Sequence, residues 1–114
     1  MSECIFCKIV EGQLDSKKVF EDNQCVAFDD VSPQAPVHTL VIPKKHFSSL
    51  EGIPSEDTIL MGHLLQVCRM VAKKKDVETN GYRVVINTGA EGGQTVSHLH
   101  LHVLGGRPMK WPPG

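Results

Sequence analysis

Residues 97–106, SHLHLHVLGG, place three histidines at alternate positions and fill the positions between them with leucine. Successive side chains of a β-strand point to opposite faces of its sheet. The pattern therefore predicts a strand whose hydrophobic face, which packs on a core, is formed by Leu99, Leu101 and Val103. The opposite face is formed by His98, His100 and His102. A merely solvated face would not require histidine three times, so this face predicts a chemical site.

The rest of the chain predicts an α+β fold in which strands flank one long helix. Short β-type runs at 17–22 and 24–30 indicate a hairpin that turns at Asp22 and Asn23. Further strands are expected at 37–43 and at 81–89, and the histidine segment is the last strand. This order favours a mostly antiparallel sheet with the helix on one face, which leaves the other face for a site.

Two helices are expected. A short one lies within residues 3–12, and a long one runs from about Glu56 to Lys75. Ser55 is the predicted N-cap of the long helix, because serine before an acidic first turn is a common start signal. Apolar residues at three- and four-residue steps predict a buried stripe that consists of Leu60, Leu64, Val67, Cys68 and Val71. His63 lies off that stripe, so we expect it to be exposed.

Length and charge narrow the classes of protein to which the chain can belong. Its 114 residues predict one domain, 1–114. The net charge of −1 argues against a nucleic-acid partner, which requires a basic excess. No apolar run approaches the roughly 18 residues that cross a bilayer, and the first residues do not resemble a secretory signal. We therefore expect a cytoplasmic location with reduced cysteines, of which Cys25 and Cys68 are interpreted as packing residues.

The histidine face admits two chemical interpretations. In one, an H-x-H pair binds a catalytic zinc that keeps an open position for water. In the other, one imidazole attacks phosphorus and its neighbours orient it. The preceding loop, NTGAEGGQT at 87–95, favours the second, because glycines let backbone N–H groups approach an anion. Asn87, Gln94 and Thr95 add neutral donors, and Glu91 is the only acid in that loop.

The segment HLHLHVL resembles the signature of the histidine-triad superfamily, H-φ-H-φ-H-φ-φ, in which φ is hydrophobic. The similarity continues through FDDVSPQAPVHTLVIPKKH, NTGAEGGQTVSHLHLHVLGG, CIFCKIVEG and the terminal WPPG, which cover nearly the whole chain. Within the superfamily, the chain is most similar to the bacterial form of the nucleotide-binding, purine nucleoside phosphoramidase branch. The resemblance implies a five-stranded antiparallel sheet that continues into that of a second copy in a homodimer.

The resemblance also implies an activity, the hydrolysis of adenosine 5′-monophosphoramidates and of acyl- or aminoacyl-adenylates to AMP. His100 would be the nucleophile that takes AMP onto a ring nitrogen. His102 and His38 would orient or polarise groups around it, and His98 opens the motif. Thr95 stands where relatives have serine, and its hydroxyl can still donate a hydrogen bond to the leaving group. This chemistry requires no cofactor, and the implied ligand is a purine nucleotide such as AMP or GMP.

The same resemblance implies how the nucleotide is held. Asp30 would accept hydrogen bonds from the ribose hydroxyls. The phosphate would contact the loop at Asn87, Gly93, Gln94 and Thr95. The base would lie in an apolar slot formed by Phe6, Ile9, Leu14, Phe28 and Val31. From the residues alone, the members of this slot are equally well explained as core.

Cys4 and Cys7 form a C-x-x-C pair, which indicates either a redox pair or half of a metal site. The redox interpretation expects a βαβ context, which the predicted elements lack. A zinc site needs two more nitrogen or sulfur ligands. The resemblance to relatives with a Cys-Cys-His-His site implies a structural zinc with His46 and His98. The alternative is two reduced thiols beside unrelated histidines.

Other functions stay open at this point: a dinucleoside polyphosphate hydrolase of the same superfamily, a nucleotide-binding regulatory or scaffold protein, and a zinc hydrolase that uses the histidine strand. The short chain and the WPPG tail speak against the first. Trp111 in that tail resembles a residue that reaches the partner's site and shapes leaving-group preference. Ser97 departs from many relatives, which carry an aromatic residue there.

Overall fold

The fold is built on one five-stranded sheet, and two of its strands contain His38 and His102. The computed structural model describes residues 3–114, so the first two residues of the predicted domain lie outside the described residues. The strands are β1 Lys18–Glu21, β2 Cys25–Asp29, β3 Val37–Pro43, β4 Tyr82–Val85 and β5 Leu101–Gly105. Their order is β1-β2-β3-β5-β4, and every neighbouring pair is antiparallel. The predicted fold class is confirmed.

The helices are α1 Ile5–Val10 and α2 Thr58–Lys74, and a single 3-10 turn lies at Leu50–Gly52. The prediction that Ser55 caps α2 is wrong. A turn closed by the hydrogen bond from the Asp57 N–H to the Pro54 carbonyl precedes the helix, so the N-cap position falls on Asp57 instead. The Asp57 side chain makes no capping hydrogen bond. Within residues 3–114, no helix combines the length and the apolar character needed to cross a membrane.

The two helices cover opposite faces of the sheet. The core under α2 contains the predicted stripe residues Leu64, Val67, Cys68 and Val71, whereas Leu60 is only half-buried. Cys25 and Cys68 are buried in this core, as expected for packing residues. The second core lies under α1 and consists of Phe6, Ile9, Val26, Phe28, Leu40 and Ile42.

The last strand is shorter than the sequence predicts, because β5 begins at Leu101 and the residues from His98 to His100 precede it. In the register of β3 with β5, Val41 pairs with Leu101. Continuation would place Leu99 opposite Pro43, which has no N–H to donate. The Leu99 N–H donates to the carbonyl of Phe47 instead, at 2.7 Å. The alternation nevertheless continues, since Leu99 belongs to the α2 core and both His98 and His100 contact Phe6 of α1.

His63 of α2 is half-buried rather than exposed, because it meets the turn between β1 and β2. Its Nε2 lies 2.6 Å from Oδ2 of Asp22. Burial would raise the pKa of Asp22, but hydrogen bonds from the Gln24 and Cys25 amides and from His63 lower it to about 2. This contact fastens the long helix to the first hairpin.

Candidate active site

Two histidines from neighbouring strands form the centre of a hydrogen-bonded network. His38 of β3 places its Nε2 2.9 Å from Nδ1 of His102 in β5. The ring of His100 lies beside this pair, with its centroid 4.9 Å from that of His102. His38 and His100 are both buried, and His102 is half-buried. The fold thus brings together three of the histidines that the sequence singles out for catalysis.

The proton positions of the His38–His102 pair follow from a backbone donor. The N–H of Gln34 points at Nδ1 of His38 over 3.0 Å. Because an amide N–H only donates, Nδ1 of His38 must accept, and the ring proton lies on Nε2. That proton faces Nδ1 of His102, so His102 carries its own proton on Nε2. The Nε2 of His102 is buried, and no group among residues 3–114 accepts a hydrogen bond from it.

The ring of His100 has the opposite arrangement. Its Nδ1 lies 2.7 Å from the carbonyl oxygen of His98. A carbonyl only accepts, so Nδ1 carries a proton, and in the neutral ring the lone pair is on Nε2. The edge of Phe6 packs against the ring at 5.2 Å between centroids, which limits its rotation. The neutral tautomer of His100 therefore presents the lone pair of Nε2 beside a neighbour that offers an N–H.

Burial keeps His38, His98 and His102 neutral. It lowers the pKa values of His38 and His98, and Asp30, whose Oδ2 lies 3.5 Å from Nε2 of His38, opposes the effect at His38 only in part. Burial, reinforced by His100 and His38, lowers the pKa of His102 to about 4. Near neutral pH these rings are therefore neutral imidazoles, as the assigned proton positions require.

The residues expected around a nucleoside fall into two groups. Phe6, Ile9 and Phe28 are buried in the α1 core, where Phe6 and Phe28 meet edge to face at 5.6 Å. Leu14 and Val31, in contrast, are 45% and 97% exposed. Val31 also lines a depression of about 640 Å³ with Asp30 and His38. The structure therefore brings Asp30 and Val31 to the His38 end of the histidine network.

The Gln94 side chain stabilises the glycine-rich loop through hydrogen bonds to main-chain groups. Its Nε2 donates to the carbonyls of Ser48 and Val96 at 2.7 and 2.9 Å, and its Oε1 accepts from the Gly89 amide at 3.0 Å. Both side-chain amide hydrogens are thus engaged within the chain, and the expected phosphate contact of Gln94 stays a prediction.

The other loop residues have different surroundings. Gly93 has a positive φ of 84°, which permits the turn before Gln94. Asn87 is half-buried, and Thr95 is exposed. Thr95 and Ser97 line a depression of about 550 Å³ that also includes Cys4 and His46. In the C-terminal tail, Trp111 is 82% exposed. The contacts of these residues with a ligand or a partner stay predictions.

Cys4, Cys7, His46 and His98 converge into a cluster whose four ligand atoms lie within 4.8 Å of one another. Nδ1 of His98 lies 3.3 Å from Sγ of Cys4 and 3.1 Å from Nδ1 of His46, which is itself 3.2 Å from Sγ of Cys7. Nε2 of His98 donates to the carbonyl of Pro43 at 2.9 Å, which leaves a lone pair on Nδ1. Two thiols, two imidazoles and a carbonyl that orients one ring fit a tetrahedral metal ion.

Three main-chain groups that set these proton positions, the His98 carbonyl among them, are missed by sequence reasoning. The amide of Gln34 and the carbonyl of Pro43 belong to the main chain, so no side-chain motif indicates them. The only signal is indirect: Pro33 and Pro36 mark an irregular loop just before His38. Such loops often supply backbone donors that regular strands keep for their neighbours.

Comparisons with known proteins identify the relatives of this arrangement. The family model described as HIT domain matches residues 11–109. An uncharacterised HIT-like protein of Synechococcus elongatus is 52% identical over 115 residues, which span 100% of both chains.

Solved structures give the same result. A HIT family hydrolase from Legionella pneumophila is 45% identical with a TM-score of 0.95, and the match covers 98% of this chain and 100% of that one. A histidine triad nucleotide-binding protein from Candida albicans is 33% identical with a TM-score of 0.83, and the match covers 96% of this chain and 83% of that one.

Proposed function

The chain belongs to the HIT domain family, and on that premise we propose that it is a purine nucleoside phosphoramidase. It hydrolyses adenosine 5′-monophosphoramidates and acyl- or aminoacyl-adenylates to AMP. The observation that carries the proposal is the bond from Nδ1 of His100 to the His98 carbonyl, which leaves a lone pair on Nε2. A nitrogen with such a lone pair, next to the N–H of His102, is suited to nucleophilic attack on phosphorus.

In the first step, Nε2 of His100 forms a bond to phosphorus while the bond from phosphorus to the amine breaks. The departing nitrogen keeps the bonding electron pair and takes up a proton from solvent, and the Thr95 hydroxyl donates a hydrogen bond to the leaving group. The ring of His100 becomes positively charged, and the His98 carbonyl stabilises that charge through the Nδ1 proton. Water then attacks the phosphorus and loses a proton to solvent, the bond from phosphorus to Nε2 breaks, and AMP leaves while the lone pair returns to Nε2.

His102 serves this reaction as a neutral donor. Its pKa of about 4 means that it does not act as a cationic acid near neutral pH. Its Nε2–H, which lacks an acceptor among residues 3–114, donates to a phosphoryl oxygen as negative charge builds there. A donor oriented in advance, in a site that excludes water, stabilises such charge without reorganisation. His38 keeps His102 in the tautomer that this role requires.

The nucleoside binds beside Asp30, whose carboxylate accepts hydrogen bonds from the ribose hydroxyls. The base contacts Leu14 and Val31, and both are apolar side chains that the protein leaves exposed. Phe6, Ile9 and Phe28 form the buried floor of this slot. The phosphate lies against the loop that contains Asn87, Gly93, Gln94 and Thr95. A purine nucleotide such as AMP or GMP is the ligand.

A structural zinc ion completes the molecule in this proposal. Cys4 and Cys7 hold it through their sulfur atoms, and His46 and His98 hold it through Nδ1. The ion supplies a cross-link between α1 and the segment before β5, and it takes no part in the reaction. Because thiolates are the ligands, the proposal includes a cytoplasmic location, where cysteines stay reduced.

The functional unit is a homodimer that forms through β4. The sheet has two edges, and β1 is the less suitable one, since its register shifts between Lys18 and Phe20 and its ends are charged. β4 pairs regularly with β5 along its other side. Tyr82 of β4 lines one surface depression with Met70 of α2, which is 37% exposed. Strand and helix thus offer a continuous, partly apolar surface to a second copy.

The experiment that tests the activity traps the intermediate. Wild-type protein is mixed with adenosine 5′-phosphoramidate, quenched in denaturant and analysed by intact and peptide mass spectrometry. We expect one AMP moiety on His100, loss of the adduct in His100→Gln, and an unchanged adduct in the control His63→Gln. AMP release at the wild-type rate by His100→Gln would overturn the proposal. A faster reaction with diadenosine tetraphosphate than with the phosphoramidate would favour the polyphosphate hydrolase instead.

A further inference from the structure

The loop at 31–36 lies against the chain just after β5. Gly106 has a φ of 90°, and a Cβ added there would lie 2.8 Å from Cβ of Pro36. Only glycine permits this conformation and this close approach together. The next residue, Arg107, donates from Nη2 to the carbonyl of Gln34 over 3.0 Å. The segment after β5 therefore holds the loop at two points.

The held loop is the part of the chain that supplies the donor to His38. Within it, the Ser32 amide donates to Oδ1 of Asp30 at 2.8 Å, and the side chain of Gln34 donates to the Ser32 carbonyl at 2.9 Å. These local bonds shape the loop but leave the Gln34–Ala35 peptide free at its carbonyl side. Arg107 donates a hydrogen bond to the Gln34 carbonyl. The N–H of the same residue, Gln34, donates to Nδ1 of His38 over 3.0 Å.

We propose that Arg107 is a positioning residue that sets the tautomers of His38 and His102 by holding the Gln34 amide against His38. The guanidinium touches neither substrate nor the reacting atoms. It acts through four groups in sequence: the Gln34 carbonyl, the Gln34 amide, the His38 ring and the His102 ring. The part that concerns catalysis rests on the proposed phosphoramidase function, whereas the part that concerns tautomers does not.

The consequence of losing Arg107 follows from the limited choices of an imidazole. Without a fixed donor at Nδ1, His38 can carry its proton there and leave a lone pair on Nε2. That lone pair faces Nδ1 of His102, and two acceptors repel each other at 2.9 Å. His102 then moves its proton to Nδ1, so Nε2 no longer donates into the site. Asp30, whose Oδ2 lies 3.5 Å from Nε2 of His38, favours the original arrangement, so loss of the arginine shifts the balance between the two sets of tautomers.

The test compares Arg107→Ala and Arg107→Lys with a matched control, Lys74→Ala. Lys74 is an exposed cation on α2 that, like Arg107, donates to a main-chain carbonyl, that of Val19 over 3.0 Å, and it lies outside the depression beside Tyr82. Protein labelled with ¹⁵N in the histidine rings reports by NMR which nitrogen of each ring carries the proton. We expect wild type and Lys74→Ala to show the Nε2–H form at both His38 and His102. Arg107→Ala should show averaged signals for both rings, and Arg107→Lys, which keeps one donor, should restore most of the wild-type pattern.

Kinetics with adenosine 5′-phosphoramidate provide the second measurement. We expect kcat to fall about tenfold in Arg107→Ala with KM nearly unchanged, since small misplacements of catalytic groups lower reaction rates by up to about 100-fold. Far-UV circular dichroism and thermal unfolding exclude loss of fold as the cause. Wild-type tautomers in Arg107→Ala would overturn the proposal, as would an equal fall of kcat in Lys74→Ala. Absence of any turnover by wild type, with the tautomers as expected, would instead overturn the proposed function alone.

Discussion

At the scale of single residues, the proton position of each histidine ring is set by the group that forms a hydrogen bond with one of its two nitrogens. The His98 carbonyl places the Nδ1 proton of His100, and the Gln34 amide makes His38 a donor to His102. The Pro43 carbonyl directs Nδ1 of His98 toward the cysteines. Four imidazoles of the same chemistry thereby acquire four different roles, because a neutral ring can donate at only one nitrogen.

His102 makes stability depend on pH. Below a pH of about 6.5, the ring binds a proton in the unfolded chain, whereas in the folded chain it binds one only near pH 4. The unfolded state therefore binds more protons within this window, and the free energy of unfolding falls as the pH is lowered through it. We expect His102→Asn, which keeps an acceptor for His38, to lose less stability between pH 6.5 and pH 4 than wild type does.

Urea unfolding at several pH values measures this difference. The free energy of unfolding of the variant is subtracted from that of wild type at each pH. This difference removes contributions that both proteins share, such as proton uptake by the metal ligands. Asp22, whose folded-state pKa of about 2 lies below its unfolded value, contributes equally to both proteins near pH 4 and is removed by the subtraction. Parallel curves for the two proteins would contradict the assignment of a neutral, buried His102.

At the scale of elements, α1 is too short to be stable by itself. Its six residues make fewer than two turns, and isolated helices need about 12–15 residues. Two things keep it on the sheet: the burial of Phe6 and Ile9, and the cluster that Cys4 and Cys7 form with two distant histidines. Since Phe6 also packs against His100, the position of α1 affects the proposed nucleophile.

Metal analysis tests the cross-link of α1. We expect about one zinc ion per purified chain, its loss in Cys7→Ser, and a lower Tm both in that variant and in wild type treated with a chelator. Added zinc should restore the Tm of the chelated wild type. Cys68→Ala is the control, because this buried cysteine lies in the other core and its variant should keep the metal. Retention of zinc by Cys7→Ser would rule out the proposed ligand set.

Two glycines in different elements should respond oppositely to the same substitution. A Cβ at Gly105 of β5 would lie 2.9 Å from Cβ of Val77, so Gly105→Ala overpacks the core and should cost about 1–3 kcal/mol. A Cβ at Gly62 of α2 would meet no atom of the described residues within 4 Å. Gly62→Ala should therefore stabilise the protein by roughly 0.5–1 kcal/mol through helix propensity. Denaturant unfolding measures both, and the same sign for both would refute this argument.

The sequence predicts the elements and the grouping of the site better than it predicts their ends. Alternation of histidine with leucine places His98 and His100 on the α1 face, although neither lies in a strand. The end of the β3–β5 ladder depends on Pro43 lying opposite Leu99, which is a matter of register and not of local pattern. The burial of His63 against Asp22 depends likewise on a distant turn. The roles of the Gln34 amide and Arg107 arise from tertiary contacts between groups that no periodicity marks.

At the scale of the whole molecule, the proposed dimer would make the site a property of two chains. The C-terminal tail follows β5, and its Trp111 is 82% exposed in the single chain. An exposed indole costs hydrophobic free energy that a partner surface recovers. If the tail reaches the site of a second copy, leaving-group preference depends on association and not only on the residues around His100.

Trp111 reports this arrangement directly, because it is the only tryptophan of the chain. We expect sedimentation to give twice the mass of the chain and emission to shift to longer wavelength on dilution, as the indole becomes exposed. Met70→Glu places a charge on the surface beside Tyr82 and should yield a monomer with the red-shifted spectrum at all concentrations. The control is Ile59→Glu, at a position that is 82% exposed on the same helix but outside that depression, and it should remain dimeric. A dimer whose emission equals that of the Met70→Glu monomer would show that association proceeds without the tail, and leaving-group selection would then lie within one chain.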